Sequence, residues 1–561
     1  MSVVEAAFAD SGQLGVPTHI IESPWVVLKF GGSSVASFGN WQSIAQIIRN
    51  RLDAGLHVLV VHSALAGVSD LLSKLLEETE SGGGEDSFAA IVAIHKALAA
   101  EMDLDPDEML GELFVELEQL AAGSRLVKEV SPRVHARIMA LGELMATRLS
   151  GSWLQSQDMD AQWLDARSLL ESKRARHSNE RQSYLNAVCD PADSEALRSQ
   201  LRAQGQLVLT QGFIAANQEK ETVLLGRGGS DTSAAYFASM LGARRLEIWS
   251  DVPGVFSADP RLVPGARLLK NLHYDEAQEI ASTGGSVLHP RSIAPMRRRS
   301  IPVFLRCTGS PELSGTVISP ATPDEVPQVK AVSVQKGITL LSLEGIAMWQ
   351  EAGFLADVFQ TFARHGVSVD LVSTSESNVT VSIEENLGQI SAVAMELLVA
   401  ELSELCRVRV LRQCSAVSLV GRRIRAILHK IGPALQVFEE ERVYLVCQAA
   451  NDLNLSFVCD EDNSFRIVER LHALLFKSAR NHPGFGLSWE EFTSDKSDAA
   501  PVGSAWWRNT QNDLLEAFAD RHSAFVYNLN EVEAAANRLL SMKSVANVFF
   551  AMKANPNPEI L

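Results

Sequence analysis

Basic charge is scarce in this chain. Against 68 Asp and Glu it carries 50 Lys and Arg, a formal net charge of -18 over 561 residues. A partner that must be won by displacing counterions, a nucleic acid or an anionic membrane, is therefore not expected. No apolar run approaches the ~20 residues that cross a bilayer, so no membrane span is expected either. Cysteine is sparse: Cys189, Cys307, Cys406, Cys414, Cys447 and Cys459 lie far apart or in apolar runs, without CxxC spacing or nearby His. That argues against a zinc ribbon or a disulfide framework and for buried thiols in a reducing compartment. The opening "MSVVEAAFADSGQLGVPTHIIESPW" has early acids and no basic stretch before an apolar core, so it does not read as a secretory signal, and a cytoplasmic location is expected.

What is present is ordinary for folded chains. Hydrophobic residues make up 46% and charged residues 21%, which excludes disorder and low complexity as the main state. The length predicts three or four domains.

The first half is built from strands that empty into small-residue turns ahead of helices. "WVVLKF" at 25–30 reads as a buried strand, Gly31-Gly32-Ser33-Ser34 breaks it, and Trp41, Ile44, Ile47 and Ile48 then fall on one helical face. Such a turn offers backbone N–H groups at a helix start, where a phosphate is favoured, with Lys29 beside it. It is not a P-loop, because the GxxxxGK[ST] order is missing. "HVLVVHS" followed by "ALAGVSDLL" repeats the strand, turn and helix order. A third case, "VLLGRGGSDTSAA", places Arg227 where it can fork onto a carboxylate and Asp231 at a helix start where it can orient a lysine. Strands alternating with helices predict a mainly parallel α/β sheet with its ligands beyond the carboxyl ends of the strands.

In order, "KFGGSSV", "SALAGVSD", "LGELMATRL", "GRGGSDTSAA", "SDVPGVFSADPR" and "GGSVLHP", spanning 29–290, resemble the motifs of aspartokinases in the amino-acid kinase family. The resemblance implies an open αβα sandwich over 24–320 that uses ATP with Mg2+ to phosphorylate the side-chain carboxylate of L-aspartate. By the same resemblance Lys29 stabilises the transferring phosphoryl group and Asp231 organises that lysine. Gly31, Gly32, Ser33, Ser250, Asp251, Phe256 and Arg261 would hold ATP, while Ser63, Ser69, Glu143 and Arg227 would bind aspartate. No protein metal ligand is expected. The chemistry agrees: a carboxylate with a free pKa of ~4 is already ionised and needs no base, so catalysis reduces to positioning and charge neutralisation. Two positions depart from the family pattern. Gly284-Gly285-Ser286 stands where many relatives read Gly-Ala-Lys, and Phe256 where they commonly place tyrosine, with Arg291 as a nearby source of replacement charge.

Past a Pro-rich joint near 320–330 the texture changes. Leu355, Val358, Phe359 and Phe362 fit one helical face, and Val367, Val369 and Leu371, then Val379, Val381 and Ile383, alternate as half-buried strands. A second copy follows, with Gly432, Val437 and Phe438 matching Gly353, Val358 and Phe359, and Leu453, Leu455 and Phe457 matching the last strand. The pair, at 330–412 and 413–480, resembles tandem ACT domains, which implies a homodimer through those domains and an amino-acid effector. Met348, Phe354, Leu355, Asp370, Ser375 and Glu376 are expected to hold that effector, most closely resembling lysine-sensitive enzymes, because Ala449 and Ala450 replace Ser375 and Glu376 in the second copy.

A Gly-, Pro- and Ser-rich linker is expected at 481–505. Beyond it, "YNLNEVEAAANRL" and "FFAMKANPNPEIL" at 506–561 resemble the start of diaminopimelate decarboxylases, with Lys553 at the position that binds pyridoxal phosphate. A (β/α)8 barrel takes on the order of 250 residues, so only its first turn would be present and no decarboxylation is expected of this chain. Two other readings stay open on the sequence: a kinase of another amino acid, such as glutamate, and a nucleotide- or lysine-sensing pseudokinase, motivated by Ser286 and Phe256.

Overall fold

The structure, a computed structural model, describes residues 15–173, 179–285, 287–321, 328–345, 353–384, 392–439, 442–448, 450–477 and 482–495. The chain divides into two compact units, 1–489 and 490–561. Of the second only 490–495 are described, and they are helical. The expected barrel start at 506–561, Lys553, Met348 and Ser286 lie outside the described residues.

The first unit is organised by two sheets. An eight-stranded sheet is formed by β1 (Trp25–Phe30), β2 (His57–His62), β3 (Ala161–Trp163), β4 (Leu207–Gln211), β5 (Arg245–Ser250), β7 (Asn271–His273), β8 (Val303–Cys307) and β9 (Thr316–Ser319); between β5 and β7 lies the short β6 (Arg267–Leu269), outside that sheet. Their order is β7-β9-β8-β5-β1-β2-β4-β3. All neighbours are parallel except β8 and β9. The central strand β1 is buried on both faces apart from Lys29, as its unbroken apolar run requires. Helices cover both sides: one apolar core gathers Val26, Leu28 and Phe30 with Trp41, Ile44 and Leu141, and the other gathers Val27, Leu59 and Val61 with Ala234, Phe237 and Ile293. This is the mainly parallel α/β architecture that the strand and helix alternation predicts.

The second sheet is antiparallel. It comprises β10 (Gln328–Glu344), β11 (Val372–Thr374), β12 (Asn378–Glu384), β13 (Arg407–Arg422), β14 (Val443–Cys447) and β15 (Asn454–Asp460), in the order β11-β12-β10-β13-β15-β14. The long strands β10 and β13 are each shared by two halves. The later part of β10, 338–344, lies between β12 and the first part of β13, whereas its earlier part, 328–335, pairs with the last part of β13, which pairs in turn with β15. The second half of the repeat thus takes one of its strands from residues that precede the first half. Helices back each half: Val358, Phe362, Leu398 and Leu402 pack on Leu341, Leu343 and Val381, while Ile467, Val468 and Leu471 pack on Val417, Leu419 and Phe457.

The helix Tyr274–Ser282 joins the sheets. Glu276, fully buried, accepts from Lys330 Nζ at 2.8 Å and lies 3.5 Å from Arg422 Nε, and Glu279 accepts from the side-chain amides of Asn451 and Asn454 at 2.8 and 2.7 Å. Breaking a buried pair of this kind leaves an uncompensated charge, which makes the contact a specific one.

Candidate active site

Three loops meet at the carboxyl ends of β1, β2 and the hairpin strand Thr222–Leu224. After β1, Gly31 donates its N–H to the Trp249 carbonyl and opens the short helix Gly32–Val35. A Cβ on Gly32 would lie 2.9 Å from the Ala64 carbonyl, so glycine lets this loop touch the one after β2. In the third loop, Gly228 has φ +64 and would drive a Cβ to 2.3 Å from the His289 ring, and a Cβ on Gly212 would fall 2.5 Å from that of Ser230. These close approaches seat the helix Gly229–Leu241 so that Asp231, in its first turn, meets Lys29 with Nζ to Oδ1 at 2.6 Å. The two side chains are 11% and 14% exposed, so the ammonium is held at the mouth of the loops rather than lost inside.

Glu143 arrives from the opposite side. Ser131 caps the helix Pro132–Ser156 by accepting from Val134 N at 3.3 Å, with proline at the first helical position. Much of this helix is buried, which carries Glu143 into the interior at 3% exposure. One oxygen accepts from Ala64 N at 3.4 Å, while Oε2 is buried with no hydrogen-bond partner among the described residues. Burial pushes this carboxyl up to about 8. A buried carboxyl with an orphaned oxygen is suited to receive an ammonium group.

The remaining positions divide. Ser63 follows β2, its N–H donated to the Phe30 carbonyl at 3.2 Å; Ser33, Ser69 and Arg227 are exposed around the loops. Ser250 caps its own turn through the Val252 carbonyl at 3.0 Å, beside exposed Asp251. Arg261 is exposed and paired bidentately with Asp259 at 3.0 and 2.8 Å. Phe256 differs from expectation: its side chain is 5% exposed, stacks edge-on against Trp489 at 5.5 Å and joins the apolar core with Val332, Leu419 and Leu471. Arg291 also differs. Its guanidinium donates to Asn186 Oδ1 and the carbonyls of Leu225 and Ala187 at 2.7, 2.7 and 3.0 Å, fastening the base of the Arg227 loop instead of presenting free charge.

Two histidines support the site and were not singled out by the sequence reading. His62 Nδ1 donates to the Ser63 carbonyl at 2.8 Å, so its Nε2 must accept, and the Ser150 hydroxyl donates to it at 2.6 Å. Burial brings this imidazole down to about 4, keeping it neutral. His289 lies in "GGSVLHP" and caps the helix Pro290–Arg299 by accepting from Arg291 N at 3.3 Å. The motif was visible, but its packing against Gly228 was not.

Beside the second sheet, Asp370 lines a cavity of about 450 Å³ with Glu279, Thr283, Ser382 and Asn454. Burial, then the nearby Glu384 carboxylate, push its carboxyl up to about 6. Ser375 and Glu376 sit in the turn beyond β11. Phe354 is buried and Leu355 is 44% exposed at the start of the helix Phe354–Arg364.

The chain is similar to known proteins in sequence and fold. The amino acid kinase family model matches residues 24–307 and an ACT domain model matches 341–394. The lysine-sensitive aspartokinase 3 of Escherichia coli is 35% identical over 81% of this chain and 99% of its own length, and the chloroplastic aspartokinase 3 of Arabidopsis thaliana is 30% identical over 81% and 82%. The crystal structure of E. coli aspartokinase III with aspartate and ADP (R-state) matches with TM-score 0.71 at 33% identity, covering 80% of this chain and 99% of that one. The same enzyme with lysine and aspartate (T-state) matches with TM-score 0.63 at 34% identity, covering 81% and 100%. On this match in sequence, fold and length, the chain belongs to the amino acid kinase family and, within it, to the aspartokinases.

Proposed function

We propose that the chain transfers the γ-phosphoryl group of Mg2+-bound ATP to the side-chain carboxylate of L-aspartate, giving ADP and 4-phospho-L-aspartate, and that lysine restrains it. The observation that carries this reading is the Lys29–Asp231 pair at 2.6 Å where the glycine loops meet. A carboxylate oxygen attacks the γ-phosphorus while the bond to the β-phosphate bridging oxygen breaks, and no proton has to move. The Lys29 ammonium neutralises charge on the equatorial oxygens, aided by the N–H groups of Gly32 and Ser33, while Gly31, its own N–H held by the Trp249 carbonyl, anchors the turn that lines the phosphates. Arg227 is assigned the substrate's α-carboxylate and Glu143 its ammonium, with Ser63 and Ser69 lining the same pocket. Ser250, Asp251 and Arg261 are assigned to the nucleotide, Phe256 acting from beneath as part of the loop's foundation. ADP release that requires both ATP and L-aspartate, absent with glutamate and lost in Lys29→Ala, tests the assignment; aspartate-independent turnover would overturn it.

For regulation, Asp370, Ser375, Glu376, Phe354, Leu355 and Met348 are assigned to a lysine effector. That β11 is an edge strand exposed at all three residues favours a homodimer in which a second copy completes the site. The segment 506–561 is read as the start of a diaminopimelate decarboxylase and Lys553 as its pyridoxal phosphate lysine, on its motifs alone. Free thiols at all six cysteines accord with a cytoplasmic setting, and among the described residues no helix is long and apolar enough to cross a membrane.

A further inference from the structure

We infer that Trp489 is a positioning residue for nucleotide binding, pinning both legs of the loop that carries Arg261. The outgoing leg is Phe256 and Ser257, the returning leg Ala266 and Arg267. The legs are tied by Ser257 N to the Arg267 carbonyl at 2.8 Å and Arg267 N to Ser257 Oγ at 2.9 Å. Between them the chain makes a tight arc, Leu262 and Val263 donating to the Asp259 carbonyl, with Arg261 on its exposed side.

Residues 482–489 return to this arc from beyond the regulatory sheet. The strand β16 (Phe485–Ser488) adds antiparallel to β6, with Arg267 opposite Ser488 and Leu269 opposite Phe485. Arg267 Nη1 donates to the Gly486 carbonyl at 2.9 Å, and Lys270 N to the Gly484 carbonyl at 3.0 Å. Trp489 then touches both legs: its backbone N–H donates to the Ala266 carbonyl at 2.9 Å, and its indole meets the Phe256 ring edge-on at 5.5 Å. His472 braces the same place, its Nε2 hydrogen-bonded to Ser257 Oγ at 2.8 Å. Residues 482–489 fall outside both family-matched regions, so neither the kinase nor the ACT pattern assigns them a role. The loop reaches its working shape only if its base is fixed, and the residue that touches both legs of that base comes from a segment more than 200 residues downstream.

The inference rests on reading 250–261 as the nucleotide loop. It is tested on the full chain with Trp489→Ala and Trp489→Phe, measuring kcat, KM for ATP and KM for aspartate, with ATP affinity by calorimetry in the absence of aspartate. An edge-on aromatic contact predicts a rise of about three- to tenfold in KM and Kd for ATP in Trp489→Ala, with KM for aspartate unchanged and recovery in Trp489→Phe. Should Trp489→Ala fail to fold, Arg267→Gln loosens the same strand addition and carries the same expectation. Unchanged ATP affinity in the folded variant, or equal losses for both substrates, overturns the inference. A wild-type chain that binds ATP but never turns over aspartate overturns the kinase reading and leaves the calorimetric comparison to decide the role of Trp489.

Discussion

Glu143 gives a quantitative test through the substitution Glu143→Gln. The carboxyl is raised by burial from its ordinary 4.5 to about 8. Between those values the folded chain keeps a proton that the unfolded chain has released, so the stability associated with this group is whole below pH 4.5 and is lost as pH rises toward 8. Each pH unit in that window removes ~1.4 kcal/mol, or roughly 3 kcal/mol by pH 7. Glutamine retains the oxygen that accepts from Ala64 N and carries no ionisation cost. Glu143→Gln is therefore expected to be more stable than wild type by roughly 2–3 kcal/mol at pH 7 and nearly equal near pH 5, read from urea denaturation at both pH values. The same proton must leave when the substrate's ammonium arrives. Aspartate binding below pH 8 should release about one proton per site, detectable by calorimetry in buffers of different ionisation enthalpy. The variant should release none and bind aspartate about 100-fold more weakly, as expected for a lost buried charge pair. Equal stabilities at pH 7, or aspartate binding without proton release, would refute the reasoning.

Other consequences follow from the same geometry. Lys29→Ala should lower kcat by about 10²–10³ with little change in KM for aspartate, since it removes transition-state charge stabilisation; initial rates of ADP release decide this. Gly212→Ala puts a methyl 2.5 Å from the Ser230 Cβ and should shift Asp231, lowering kcat about tenfold or more in the same assay. Because the Asp370 carboxyl is held up near 6, lysine inhibition should weaken as pH falls below that value, where the group loses its charge; Asp370→Asn should be weakly inhibited at every pH tested, and a wild-type inhibition constant that is flat from pH 5.5 to 7.5 contradicts the assignment.

The kinase core was legible because its signals are local. The apolar run before Gly31, the glycines around Arg227 and the helix carrying Glu143 each declare a strand, turn or helix within a dozen residues, and the pairing of Lys29 with Asp231 follows from two such loops facing one another. What the sequence concealed depends on partners far along the chain. Phe256 reads as a loop residue until Val332, Leu419 and Trp489 bury it. Arg291 reads as spare charge until Asn186 and Leu225 engage it. The exchange of strand halves between β10 and β13 is equally hidden, because alternation marks a strand but not which half of it pairs where.

Acyl phosphate formation from ATP and L-aspartate, trapped with hydroxylamine over a lysine titration, is the decisive measurement. The structure predicts hydroxamate equal to the ADP released, loss of both in Lys29→Ala, and suppression of both by lysine. ADP without hydroxamate, or product formation indifferent to Lys29, would contradict it.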